Sequence, residues 1–157
     1  MNDTHTQEKH MLIKMISIAV VAAIAACAPV TAEDLTLDML NKREDGQKMV
    51  FSQDVARIEV GDTITWLPKS KGHNVEFRAG PDGAELPKKS KQNKEVVMTF
   101  ETAGTYFYWC TPHKSMGMIG LVIVGNDTSN LHEIARVKTG GRSKKKLKKL
   151  IEEIVGS

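Results

Sequence analysis

The sequence predicts an all-β fold, an antiparallel sandwich of about eight short strands, with two α-helices packed onto it at the C-terminal end. Three observations carry this. Apolar residues alternate with a period of two in short runs between residues 34 and 124. Turn-forming Gly, Asp, Asn and Pro separate the runs, as in sandwiches. Past residue 129 the apolar period lengthens to that of a helix.

Residues 1–32 stand apart. Lys9, His10 and Lys14 precede MISIAVVAAIAAC (Met15 to Cys27), an apolar run too short to span a bilayer with ease. Val30-Thr31-Ala32 then offers the small-x-small pattern of signal-peptidase cleavage. The expectation is a secretory signal over 1–32, a single domain over 33–157, and a periplasmic mature protein. Met11 is an alternative start. Ile24-Ala25-Ala26-Cys27 resembles a lipobox, but the first strand begins at Asp34 and would leave a very short tether, so lipid anchoring at Cys27 is the minority reading.

Leu35, Leu37 and Met39 share one face of the first strand, with Thr36 and Asp38 opposite. VARIEV (Val55 to Val60) turns at Gly61-Asp62 into TITWL (Thr63 to Leu67). EVVMTFE (Glu95 to Glu101) leads through Ala103-Gly104 into TYFYWC, and MIGLVIVG (Met118 to Gly125) closes the series. The Gly-, Pro- and charge-rich stretch from Arg78 to Lys94 reads as a long surface connection.

Asn130 is placed to cap a short helix through LHEIARV, which Thr139-Gly140-Gly141 ends. Ser143 is placed to cap a second, in which Leu147, Leu150, Ile151, Ile154 and Val155 follow helical spacing. That stripe makes the KKKLKK run (Lys144 to Lys149) the solvated face of a docked helix rather than an arm for nucleic acid or membrane. The whole-chain charge of +3 likewise demands no nucleic-acid partner.

The chain has two cysteines, and loss of residues 1–32 leaves only Cys110, so no internal disulfide forms. A lone thiol in an oxidising compartment is a liability unless something occupies it. YFYWCTPHKSMGMIG (Tyr106 to Gly120) places Cys110, His113, Met116 and Met118 together, and KGHNVEF supplies His73 upstream, expected on the opposing sheet. One thiolate, two imidazoles and a thioether suit copper in either oxidation state. Structural zinc prefers more thiolates and rarely takes methionine. Four protein donors leave no open position for substrate, which argues for electron shuttling over an enzyme. A copper-trafficking protein is the rival reading.

On these residues the chain resembles the cupredoxins, and among them the pseudoazurins. MLNK (Met39 to Lys42), MVF (Met49 to Phe51), GDTIT (Gly61 to Thr65), KGHNVE (Lys71 to Glu76), PDGAE (Pro81 to Glu85) and CTPHKSMGMIG (Cys110 to Gly120) carry the likeness. The resemblance implies a Greek-key sandwich holding one type 1 (blue) copper ion, with His73, Cys110, His113 and Met118 as ligands. Asn74 is then expected to brace the cysteine loop, and Met49 to pack near the His113 ring. Met116 has the spacing of the amicyanin ligand, and an amicyanin-like acceptor of an amine dehydrogenase is the alternative.

The resemblance also implies electron passage at an exposed His113 edge. Pro112, Met116 and Met49 form its apolar surround, ringed by Lys42, Lys71, Lys89, Lys91 and Lys114. Implied partners are redox proteins, nitrite reductase or a c-type cytochrome, met by a monomer without nucleic acid or a membrane span. Trp109 stands where pseudoazurins usually carry lysine, and Asp38 where a histidine is common.

Overall fold

The structure is a computed structural model and describes residues 33–156. The secretory signal, the lipobox cysteine and the choice of start residue lie outside the described residues.

Eight strands build two four-stranded sheets: β1 (Asp34–Lys42), β2 (Lys48–Phe51), β3 (Val55–Ile58), β4 (Thr63–Leu67), β5 (Glu76–Ala79), β6 (Val96–Thr99), β7 (Gly104–Trp109) and β8 (Ile119–Val124). The orders are β2-β1-β4-β6 and β3-β8-β7-β5. The sheets are mixed rather than antiparallel throughout. β1 runs parallel to β4, with Leu37 opposite Trp66, and β3 runs parallel to β8. Chain crossing between the sheets produces this: β3 leaves the sheet of its predecessors, so β4 re-enters beside β1 in the same direction.

Alternation decides what each strand buries. Leu37, Met39, Ile64 and Trp66 face inward from the first sheet and meet Phe77, Tyr106, Tyr108 and Val122 from the second. β7 and β8 are buried along their whole length because both faces of their sheet are covered. Phe107, Trp109, Ile119, Leu121 and Ile123 point the other way, onto Leu131, Ile134, Leu147, Leu150 and Ile154 of the helical segment. The connection expected over Arg78 to Lys94 begins later, because β5 takes in Arg78 and Ala79; residues 80–95 are mostly exposed and without a strand.

The two helices are α1 (Leu131–Ile134) and α2 (Gly141–Val155). Both expected caps are corrected. Asn130 precedes α1, but its amide bonds β7 instead, accepting from Thr105 N at 2.8 Å and donating to Thr105 O at 2.8 Å. α2 starts two residues before Ser143, whose side chain makes no cap. The apolar stripe holds at Leu147, Leu150 and Ile154, but Val155 is 73% exposed. Most lysines of α2 are solvated as expected. Lys146 is the exception, half-buried and 2.7 Å from Asp54.

Candidate metal centre

The end of β7 sets the position of Cys110, and a 3-10 turn over Thr111–His113, with Pro112 inside it, folds His113 back over the sulfur. The His113 N–H donates to the Cys110 carbonyl at 3.1 Å. His73 lies in the loop leading from β4 of one sheet to β5 of the other, so it is delivered at a sheet crossing rather than from the opposing sheet. Its backbone is tied to the long connection, where Asn93 N donates to His73 O at 2.9 Å.

These elements bring three donors together. His73 Nδ1 is 3.1 Å from His113 Nδ1, and Cys110 Sγ is 3.4 Å from His113 Nδ1 and 3.7 Å from His73 Nδ1. The circle through these three atoms has a radius of about 2.0 Å, close to a metal–imidazole bond length and a little under a metal–thiolate one. The donor set thus fits one ion in a trigonal plane. Among the described residues this is the group of His, Cys and acidic side chains with metal-holding spacing.

The two methionines part company. Met118 is fully buried, and its carbonyl accepts from the Cys110 N–H at 3.0 Å. Met116 is 41% exposed. Only Met118 therefore has the burial expected of a weak axial donor. Pro112 is exposed, His113 half-buried, and Lys42, Lys71, Lys89, Lys91 and Lys114 are all exposed. Met49 is half-buried against the inter-sheet core and has a left-handed backbone, φ 52°.

The electrostatics favour metal over protons. Burial, reinforced by the neighbouring His113 charge, lowers the His73 pKa to about 4. Burial also lowers that of His113. Both rings are neutral near neutral pH and offer lone pairs. Burial raises the Cys110 thiol pKa, opposed by the backbone N–H groups of Asn74 and His113. A bound cation would reverse that shift by its own charge.

Around the donors lies a hydrogen-bonded frame. Asn74 was foreseen: its Oδ1 accepts from Thr111 N at 2.8 Å and its Nδ2 donates to Thr111 Oγ1 at 3.1 Å. Asn41 and Glu76 were not. Asn41 Oδ1 lies 2.9 Å from His73 Nε2. Glu76 accepts from Trp109 Nε1 and Thr111 Oγ1, each at 2.7 Å, and from Arg78 Nη1 at 3.0 Å. Burial pushes the Glu76 carboxyl up, but these donors outweigh it and hold it low. Trp109, 7% exposed, lies under Arg78 at 5.0 Å and Lys114 at 5.1 Å. The site is thereby flanked by cations despite the missing lysine. Asn41 and Glu76 stand in the quoted MLNK and KGHNVE, yet nothing in spacing assigns them these partners.

A family model described as copper binding proteins of the plastocyanin/azurin family matches residues 37–125. A pseudoazurin of Methylorubrum extorquens is 38% identical over 145 residues, 91% of this chain and 95% of that protein. One from Paracoccus pantotrophus is 38% identical over 134 residues, 84% of this chain and 91% of the other. The solved structure of a Sinorhizobium pseudoazurin superposes with a TM-score of 0.73 at 41% identity, covering 77% of this chain and 95% of that one. Among the described residues no helix is long and apolar enough to cross a membrane.

Proposed function

The chain belongs to the plastocyanin/azurin family of copper-binding proteins, among the pseudoazurins, which carry electrons, and from that premise we propose that His73, Cys110, His113 and Met118 hold a single type 1 copper ion and that electrons pass at the His113 edge. The observation that carries this is the convergence of Cys110 Sγ and both Nδ1 atoms on one point about 2.0 Å away. A trafficking protein needs donors that open and release. Here the donors are already gathered, and hydrogen bonds fix the segments that bear them.

Copper bound there supplies the one-electron Cu(I)/Cu(II) couple. The chain's own residues do the rest. Asn41 accepts the Nε2 proton of His73, leaving Nδ1 free to face the sulfur. Asn74 and Thr111 hold the Cys110 loop to the preceding crossing. Tyr108, Phe51 and Trp66 share one buried cluster with Cys110 and Met118 and keep water from it.

We assign docking to Pro112, Met116 and the exposed edge of His113, with Lys42, Lys71, Lys89, Lys91 and Lys114 steering an acidic redox partner. A periplasmic nitrite reductase or a c-type cytochrome has the chemistry for this, consistent with the leader-like composition of residues 1–32. Stopped-flow oxidation of the reduced protein by hexacyanoferrate(III) tests the steering. The rate should fall with added salt, and Lys71→Glu with Lys114→Glu should slow it by roughly tenfold at low salt. An unchanged rate and salt slope would remove the lysine ring from the mechanism.

A further inference from the structure

Lys114 and Ser115 lie in the loop between His113 and Met118, and their backbone is held from outside by the first turn of α2. Ser143 Oγ donates to the Lys114 carbonyl. Arg142 N donates to the Ser115 carbonyl at 2.9 Å. Gly141 has φ 59°, and a Cβ there would overlap that same Ser115 carbonyl, so the helix start lies flush against the loop. Gly117 also faces this helix start, where an added Cβ would make ordinary contact with the Arg142 Cβ at 3.6 Å.

Ser143 is fully buried and leaves the N-terminus of its own helix without a side-chain cap. A serine at the cap position would serve that terminus, but Gly140 holds that position and Ser143 stands three residues on. Here its hydroxyl serves the loop instead. Two of the loop's internal bonds converge on one oxygen, since His113 O accepts from Met116 N at 2.9 Å and from Met118 N at 3.4 Å. The Lys114 and Ser115 carbonyls point away from that oxygen, toward α2, and without the helix they would turn to water.

We propose that α2 is an outer brace of the metal-binding loop and that Ser143 is a positioning residue for His113 and Met118. The inference rests on those two being ligands. Asn74 grips the loop at Thr111 from the sheet side, and Ser143 with Arg142 grips it at Lys114 and Ser115 from the helix side. Between the two grips lies His113, and Met118 follows the second grip three residues on. A loop held on both sides of His113 rearranges little when the charge on its donors changes, which is what rapid electron exchange requires.

The test compares Ser143→Ala and Gly141→Ala with Ile154→Ala, which loosens the far end of α2 without touching the loop. In the metal-free protein, amide exchange at Met116 and Met118 should quicken by roughly tenfold in the first two variants, the loss of about one net hydrogen bond. With copper bound, both should shift the reduction potential and the visible charge-transfer band, while Ile154→Ala lowers only the melting temperature. Gly141→Ala keeps the hydroxyl and decides the matter alone if Ser143→Ala does not fold. Wild-type exchange rates and potential in the loop-facing variants, or the same shifts in Ile154→Ala, would overturn the brace. A wild-type protein without the band would count against the ligand assignment instead.

Discussion

His73 Nε2 and Asn41 Oδ1 lie 2.9 Å apart, joining the end of β1 to the crossing loop between the sheets. An amide oxygen only accepts, so the proton sits on Nε2 and the Nδ1 lone pair faces Cys110. Asn41→Leu removes this acceptor and frees the ring to rotate or change tautomer. Copper affinity should fall by about 10- to 100-fold, the usual cost of losing such a partner, as read by competition with a chelator. Affinity within a factor of two of wild type would show that packing alone orients the ring.

Protonation of His73 should limit the metal-free protein at low pH. Its folded pKa of about 4 lies below the ordinary 6.5, so as pH falls the unfolded chain takes up the proton first and stability declines across that window. His73 alone accounts for about 2 kcal/mol between roughly pH 7 and pH 5, and the lowered His113 value acts in the same direction. Urea unfolding at the two pH values should show the loss, and His73→Gln should remove most of it. A midpoint independent of pH in the metal-free wild type would contradict this.

Glu76 anchors the strand before Cys110 and the turn after it through Trp109 and Thr111. Glu76→Ala strands both donors and separates Arg78 from its ion pair, at a cost of about 2–3 kcal/mol. Chemical unfolding should register that loss, with the copper band perturbed through Thr111. A loss under about 0.5 kcal/mol would mean water replaces the carboxylate without penalty.

Gly120 tests the core behind the loop. A Cβ there would overlap Cζ and the hydroxyl of Tyr108, which is fully buried against Phe51 and Trp66. Gly120→Ala should therefore destabilise by about 1–3 kcal/mol, the range for overpacking, with Tyr108→Phe in the same chain recovering part of it. Wild-type stability in the single variant would show the ring free to move.

Much of this architecture was legible in the sequence because burial writes itself as periodicity. TITWL shows one buried face and reads as a strand, and Leu147, Leu150 and Ile154 mark the docked face of α2. Parallel pairing was not legible, since β1 and β4 alternate alike whichever way they run. The donor types were legible because few other side chains suit copper, and burial then separates Met118 from Met116. Their supports were not. Asn130 and Ser143 carry the composition of helix caps, yet each bonds a segment distant in sequence, Thr105 and Lys114. Local rules cannot anticipate such partners.

The most direct test of the central claim is the visible spectrum of the purified protein with one equivalent of Cu(II), before and after ascorbate. An intense red-light absorption that bleaches on reduction and returns on reoxidation would show Cys110 thiolate bound to a copper ion that cycles in place. A pale solution, or one in which Cys110 is consumed by oxidation, would contradict the electron-carrier account at its foundation.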